Sequence, residues 1–178
     1  MKRNLVILVL ALQTAWLLAT VVRQETLWRT GRMILLETRP VDPRDPLRGD
    51  YVRLNYQISM VPLNLFAGPA PTNPPSGTTI FAALAPVGTN EYWEITRAST
   101  ERFAPAASEV LLRGKTEWTW ANGPKVVHAT YGIEQFYVAE GTGNPRGKLA
   151  AQVVVSESGR ASLKELLVDG KPLNRAGN

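Results

Sequence analysis

The sequence predicts a mainly β protein: one N-terminal transmembrane helix followed by a single β-sandwich or barrel-like domain with short helices. Three observations predict it. The apolar run Leu5 to Val22 follows the basic pair Lys2-Arg3. Residues 51–58 alternate apolar and polar side chains with a period of two. Gly, Asn, Asp, Ser and Pro punctuate the rest of the chain at short intervals, as turns between strands do.

The first element is the run LVILVLALQTAWLLATVV, whose polar members are Gln13, Thr14 and Thr20. As a helix it covers about 27 Å, close to the hydrocarbon thickness of a bilayer. Nothing breaks a helix before Gly31, so residues 1–30 form the anchor and residues 31–178 the following domain. A cleaved signal peptide is the competing reading. It wants a shorter apolar core and a small-residue cleavage site, and Ala19-Thr20-Val21 substitutes poorly for Ala-x-Ala. A retained anchor is therefore expected. Lys2 and Arg3 stand against Arg23, Arg29 and Arg32, so the charge rule is nearly balanced. A short N-terminal tail usually stays in the cytoplasm. The expected topology is single-pass with the domain outside; in a Gram-negative bacterium that is an inner-membrane anchor with the domain in the periplasm. Gln13, Thr14 and Trp16 are the candidate contacts for a neighbouring helix. The span has no His and no central charge, so no haem or pigment ligand, and no cofactor is expected.

Strand patterns follow in order. Met33 to Thr38 is a short apolar run closed by Pro40. In 51–58, Val52, Leu54, Tyr56 and Ile58 share one face, and Tyr51, Arg53, Asn55 and Gln57 the other. Thr79–Ala85, Glu91–Arg97, Val110–Trp120, Val126–Tyr131, Gln152–Ser156 and Ser162–Val168 complete the set. Ser158-Gly159 marks a hairpin between the last two. Short helices are expected around Glu134–Val138 and Pro145–Ala150. Residues 61–77 hold Pro62, Pro69, Pro71, Pro74 and Pro75, which suits a long surface loop with polyproline character. Leu63, Leu65 and Phe66 on such a loop are apolar side chains that want cover, so a docking arm competes with a plain insertion.

Composition excludes much chemistry. The 178 residues contain 0 Cys and one His, so there is no disulfide framework, thiol nucleophile or Cys-ligated metal. The net charge is +5. Beyond the N-terminal flank the basic residues are scattered singly, as at Arg97, Arg102, Arg113 and Lys115. That is a mixed soluble surface, and no nucleic-acid partner is expected.

The segment VDPRDPLRGDYVRLNY, residues 41–56, is the most distinctive. Pro43 and Pro46 disfavour helix before them, and Gly49 frees the backbone ahead of the strand. Asp42, Asp45 and Asp50 can accept backbone N–H groups or pair with Arg44 and Arg48. A cation-holding carboxylate cluster is the weaker reading, because arginines interrupt the oxygen donors. With its Gly49, Asp50, Tyr51, Leu54 and Tyr56, this segment resembles the bacterial GDYXXLXY protein family. A second match is YGIEQFYVAEGTG, residues 131–143, with Gly132, Glu134, Glu140 and Gly141; a third is the ending LLVDG, residues 166–170. The resemblance implies a small membrane-anchored envelope protein, often beside polytopic membrane proteins. It implies no particular chemistry.

No nucleophile elbow, phosphate loop or dinucleotide glycine pattern is present. His128 sits mid-strand among Val126, Val127 and Ala129, where a structural role is the expectation. Glu134 and Glu140 with an Asp could in principle form a glycosidase-type pair, but carboxylates at arbitrary distance carry almost no information. No catalytic, cofactor or metal residues are assigned. The expected function is a non-catalytic accessory or scaffolding subunit of a larger membrane complex, respiratory or photosynthetic, with integral membrane subunits as partners. The alternative is a stand-alone envelope module that binds a peptide or glycan through Tyr51, Trp118 and Trp120.

Overall fold

A computed structural model describes residues 2–41, 51–68, 74–88, 91–117, 126–137 and 147–173. The chain divides into two compact units, Met1–Gly31 and Arg32–Asn178.

The first unit is one helix, α1, Lys2–Thr30. Gly31 closes its last turn by donating its N–H to the Leu27 carbonyl at 2.9 Å. Residues Asn4–Thr30, with a mean hydropathy of 2.4, are long and apolar enough to cross a membrane. Apolar side chains cover all its sides rather than one face, as suits a hydrocarbon solvent and not an amphipathic surface helix.

The second unit is built from strands. In chain order these are β1 (Arg32–Val41), β2 (Tyr51–Tyr56), β3 (Met60–Pro62), β4 (Thr79–Pro86), β5 (Trp93–Ser99), β6 (Val110–Thr116), β7 (Val126–Thr130), β8 (Gln135–Tyr137), β9 (Leu149–Val155), β10 (Ala161–Val168) and β11 (Lys171–Pro172). They form a sheet in the order β11-β10-β9-β1-β2-β8 and a second in the order β3-β7-β6-β4-β5. Neighbours within both sheets run antiparallel. One apolar core joins them. Ile34, Leu36, Leu54, Val153 and Leu166 come from the first sheet, and Ile80, Leu84, Leu112 and Val127 from the second. The architecture is a β-sandwich, within the expected fold class.

The alternation of 51–58 has the expected orientation: Leu54, Tyr56 and Ile58 are buried, while Arg53, Asn55 and Gln57 are exposed. The hairpin at Ser158-Gly159 is also present, with the Ser156 N–H donating to the Arg160 carbonyl at 2.9 Å.

Four expectations need correction. Pro40 does not end β1. It pairs with Leu54 of β2, and β1 runs on to Val41. The β9 partner on the other side stops at Thr38↔Leu149, so no ladder there asks Pro40 for its missing N–H. Glu134–Val138 is not helical: Gln135–Tyr137 is β8, paired to Tyr51, Val52 and Arg53. Phe136 is buried between exposed Gln135 and Tyr137, a period of two that favours a strand. Of Pro145–Ala150, the described part begins at Gly147 and enters β9 at Leu149; the rest lies outside the described residues. The helical pieces of the domain are instead two 3₁₀ turns, Gln57–Ser59 and Leu63–Leu65. Finally, residues 61–77 are not loop from their start. Val61 and Pro62 lie in β3, an edge strand where a proline is tolerated. Far along the segment, Thr116 Oγ1 donates to the Pro75 carbonyl at 2.7 Å and the Gly77 N–H donates to the Thr116 carbonyl at 2.8 Å.

Candidate functional site

The two sequence motifs meet in space. β2 carries the first and the turn between β7 and β8 carries the second. Tyr56 points inward from β2 and its hydroxyl donates to the Ile133 carbonyl at 2.7 Å. Tyr131, just after β7, returns the contact: its hydroxyl donates to the Ile58 carbonyl at 2.9 Å. The Leu54 N–H donates to the Glu134 carbonyl at 2.8 Å. These bonds tie β2 and the 3₁₀ turn after it to the turn that leaves β7.

Glu134 holds the turn itself. Its carboxylate accepts the N–H groups of Tyr131 and of Gly132, the latter at 2.9 Å. Gly132 sits at φ +80°, in the left-handed region that a side chain resists, and this lets the chain reverse into β8. Burial, and then the Glu134 charge, push the Tyr56 and Tyr131 hydroxyls well above the usual tyrosine range. Both phenols therefore stay protonated as donors at ordinary pH. The arrangement fixes backbone; its carboxylate and hydroxyls are all spent on main-chain groups.

The other singled-out residues fall apart from this network. Asp42, Arg44, Asp45, Gly49, Asp50, Trp118, Trp120, Glu140 and Gly141 lie outside the described residues, and Tyr51 is described for its backbone in β2. His128 lies in β7 opposite Met60, half-buried between buried Val127 and Ala129. Leu63, Leu65 and Phe66 do not stand out on an arm. All three are partly buried, and Leu63 and Phe66 pack against the core. A parallel bridge joins Phe66 to Ala98, and the Ala67 N–H donates to the Ala98 carbonyl at 2.8 Å. The cover these side chains want is supplied by β5 of the same domain.

In α1, Thr14 differs from Gln13. The hydroxyls of Thr14, Thr20, Thr26 and Thr30 donate to the carbonyls of Leu10, Leu17, Val22 and Thr26 at 2.7–2.9 Å, so each is satisfied within the helix. Among the described residues the Gln13 amide makes no hydrogen bond. With Leu12, Trp16 and Leu17 it borders a shallow notch, and Trp16 is 68% exposed.

Sequence reasoning passed over Tyr131, although its motif was recognised. A Tyr beside a Gly at a strand end is the signal that was available. A protein-family model described as GDYXXLXY protein matches residues 13–166, which is most of the chain. No curated protein and no solved structure matches.

Proposed function

We propose, from the premise that the chain belongs to the GDYXXLXY protein family, that it is a non-catalytic accessory subunit of a larger membrane complex. In this reading α1 crosses the bacterial inner membrane once, with its N-terminus in the cytoplasm. The β domain stands in the periplasm, over the partner subunits.

Gln13 carries the reading. It is roughly 12 Å from either end of the Leu5–Val22 run at 1.5 Å per residue, too deep for its amide to reach water or headgroups. The amide offers two donors and an acceptor. Left unpaired in hydrocarbon, such a group costs several kcal/mol. A polar side chain on a neighbouring helix removes that cost, and pairs of this kind contribute about 0.6–2 kcal/mol to helix association. The thirteenth residue is thus a contact point that the helix does not satisfy alone.

The test is extraction in mild detergent, followed by native electrophoresis and mass spectrometry of the band. The wild-type chain should co-migrate with integral membrane subunits. Gln13→Leu, which keeps the helix apolar and removes the amide, should release a measurable fraction as monomer. A wild-type chain that runs alone at monomer mass overturns the reading.

A further inference from the structure

Strand β6 changes neighbours along its length. On one side β4 pairs it throughout, from Thr79↔Lys115 to Leu84↔Val110. On the other side β7 pairs it at Lys115↔Thr130 and Thr116↔Ala129, then turns away at Gly132. Further along the same edge, the Arg113 N–H donates instead to the Gly159 carbonyl, at 2.8 Å, on the β9–β10 hairpin. Between the departing β7 and the arriving hairpin lies a cleft of about 520 Å³.

Arg113 and Lys115 line it from β6, Arg160 from the hairpin, and Tyr131, Gly132 and Glu134 from the turn. All three basic side chains are exposed, and among the described residues none makes an ion pair or a side-chain hydrogen bond. Four other described arginines of the domain are engaged. Arg32 donates to the Ala107 and Glu109 carbonyls, Arg53 lies by Glu117, Arg97 pairs with Glu109, and Arg102 donates to the Glu157 carbonyl. The cleft thus gathers cations that the fold leaves uncompensated. Glu134 lines the same cleft, but its carboxylate is bound to two backbone N–H groups and pairs with none of the three.

We propose that this cleft docks an extended acidic segment of a partner polypeptide. Arg113 and Lys115 are two residues apart on one face of a strand, so their side chains repeat at about 6.6–6.8 Å. Acidic side chains on one face of an extended segment repeat at the same distance. A compact anion such as phosphate fits less well, because the N–H groups at Tyr131 and Gly132 that would cradle it are occupied by Glu134. The site lies in the β domain and stands independently of the role assigned to Gln13.

The test uses the full chain in nanodiscs of zwitterionic lipid and a fluorescent hexaglutamate peptide, read by anisotropy at low and at physiological salt. Saturable binding that weakens with salt is expected. The triple variant Arg113→Gln, Lys115→Gln, Arg160→Gln should lose about tenfold or more in affinity, with an unchanged melting temperature. The charge-keeping set Arg113→Lys, Lys115→Arg, Arg160→Lys should bind within about twofold of wild type. Gln13→Leu should bind as wild type, which separates this site from the anchor. Absence of binding, or equal binding by the triple Gln variant, overturns the proposal. So does displacement of the peptide by an equal concentration of inorganic phosphate, which would make the cleft a small-anion site. Binding of the chain to phosphatidylglycerol vesicles through the same three residues, without peptide binding, would also overturn it.

Discussion

In the β domain Tyr56 and Tyr131 sit among apolar side chains, and each hydroxyl reaches a carbonyl of the same domain. In α1 Gln13 sits among apolar side chains, and its amide reaches nothing in the helix. Among the described residues the domain leaves no buried side-chain nitrogen or oxygen without a partner. The domain satisfies its own inward polar groups; the helix, at Gln13, does not. A β-sandwich can route any inward polar group to a neighbouring strand, because main-chain carbonyls lie on several sides. A lone helix has spent its carbonyls on itself. Short hydroxyls such as Thr14 can still fold back onto one, at 2.9 Å to Leu10, whereas the longer Gln13 amide does not. Stability of the domain and the contacts of α1 should therefore respond to different substitutions.

The largest expected effect is on the domain. Leu54 is 2% exposed and stands on β2 two residues before Tyr56, in the sandwich interior. Leu54→Ala removes a buried isobutyl group and leaves a cavity, which costs about 2–5 kcal/mol. For a domain of this size the melting temperature should fall by roughly 5–15 °C. Differential scanning calorimetry of the purified chain checks it. α1 should be untouched, so native-gel migration at low temperature should match wild type. If migration changed along with melting, the separation between the two regions would break.

Tyr56→Phe sharpens the same comparison with a smaller loss. It keeps the ring and leaves the Ile133 carbonyl without its donor, a change of about 1–2 kcal/mol. Chemical denaturation of Tyr56→Phe, Tyr131→Phe and the double variant measures whether the reciprocal bonds act together. Coupling is expected, since both bonds hold the same turn. The pH dependence has a definite sign. Both hydroxyls titrate above their usual value of about 10 in the fold, so their contribution is intact below that pH. It is lost as pH rises beyond it, when the unfolded chain ionises first. Phenolate absorbance from these two residues should appear together with unfolding and not before.

How much of this was legible in the sequence depended on the range of the interaction. The apolar helix over Leu5–Val22, the alternation of 51–58 and the hairpin at Ser158-Gly159 are local patterns, and they read correctly. β3 and β8 have three residues each, too few for a period of two to be told from helical spacing in the sequence, and β8 reads there as helix. Leu63 and Phe66 looked like uncovered arm residues because their cover, β5, comes some thirty residues later in the chain. The motif tyrosines were visible as residues, but the carbonyls they reach lie 77 and 73 residues away. The cleft was hidden for the same reason. Arg113 and Lys115 are scattered along the chain with respect to Arg160, and only the hairpin docking on β6 gathers them.

The smallest effect concerns a charge that the domain satisfies at its surface. Glu109 accepts from the Ala106 N–H at 2.9 Å, from Thr96 Oγ1 at 2.7 Å and from Arg97 at 2.9 Å. It thereby clamps the segment before β6 onto β5. The Ala106 N–H above all, with Thr96 and Arg97 adding to it against the cost of burial, holds its carboxyl below the usual carboxylate range. A lowered value means that the clamp is fully present above about pH 4.5 and fades as pH falls through the folded-state value. Half-exposed Arg97 limits the ionic share, so Glu109→Gln should cost about 1 kcal/mol at neutral pH. Once the pH lies below the folded-state value, the variant and the wild type should converge in denaturant midpoint. A gap that persisted there would assign the loss to packing of the amide and not to charge. The clamp would then belong with the neutral contacts of Tyr56, and the domain's self-sufficiency would owe nothing to this carboxylate.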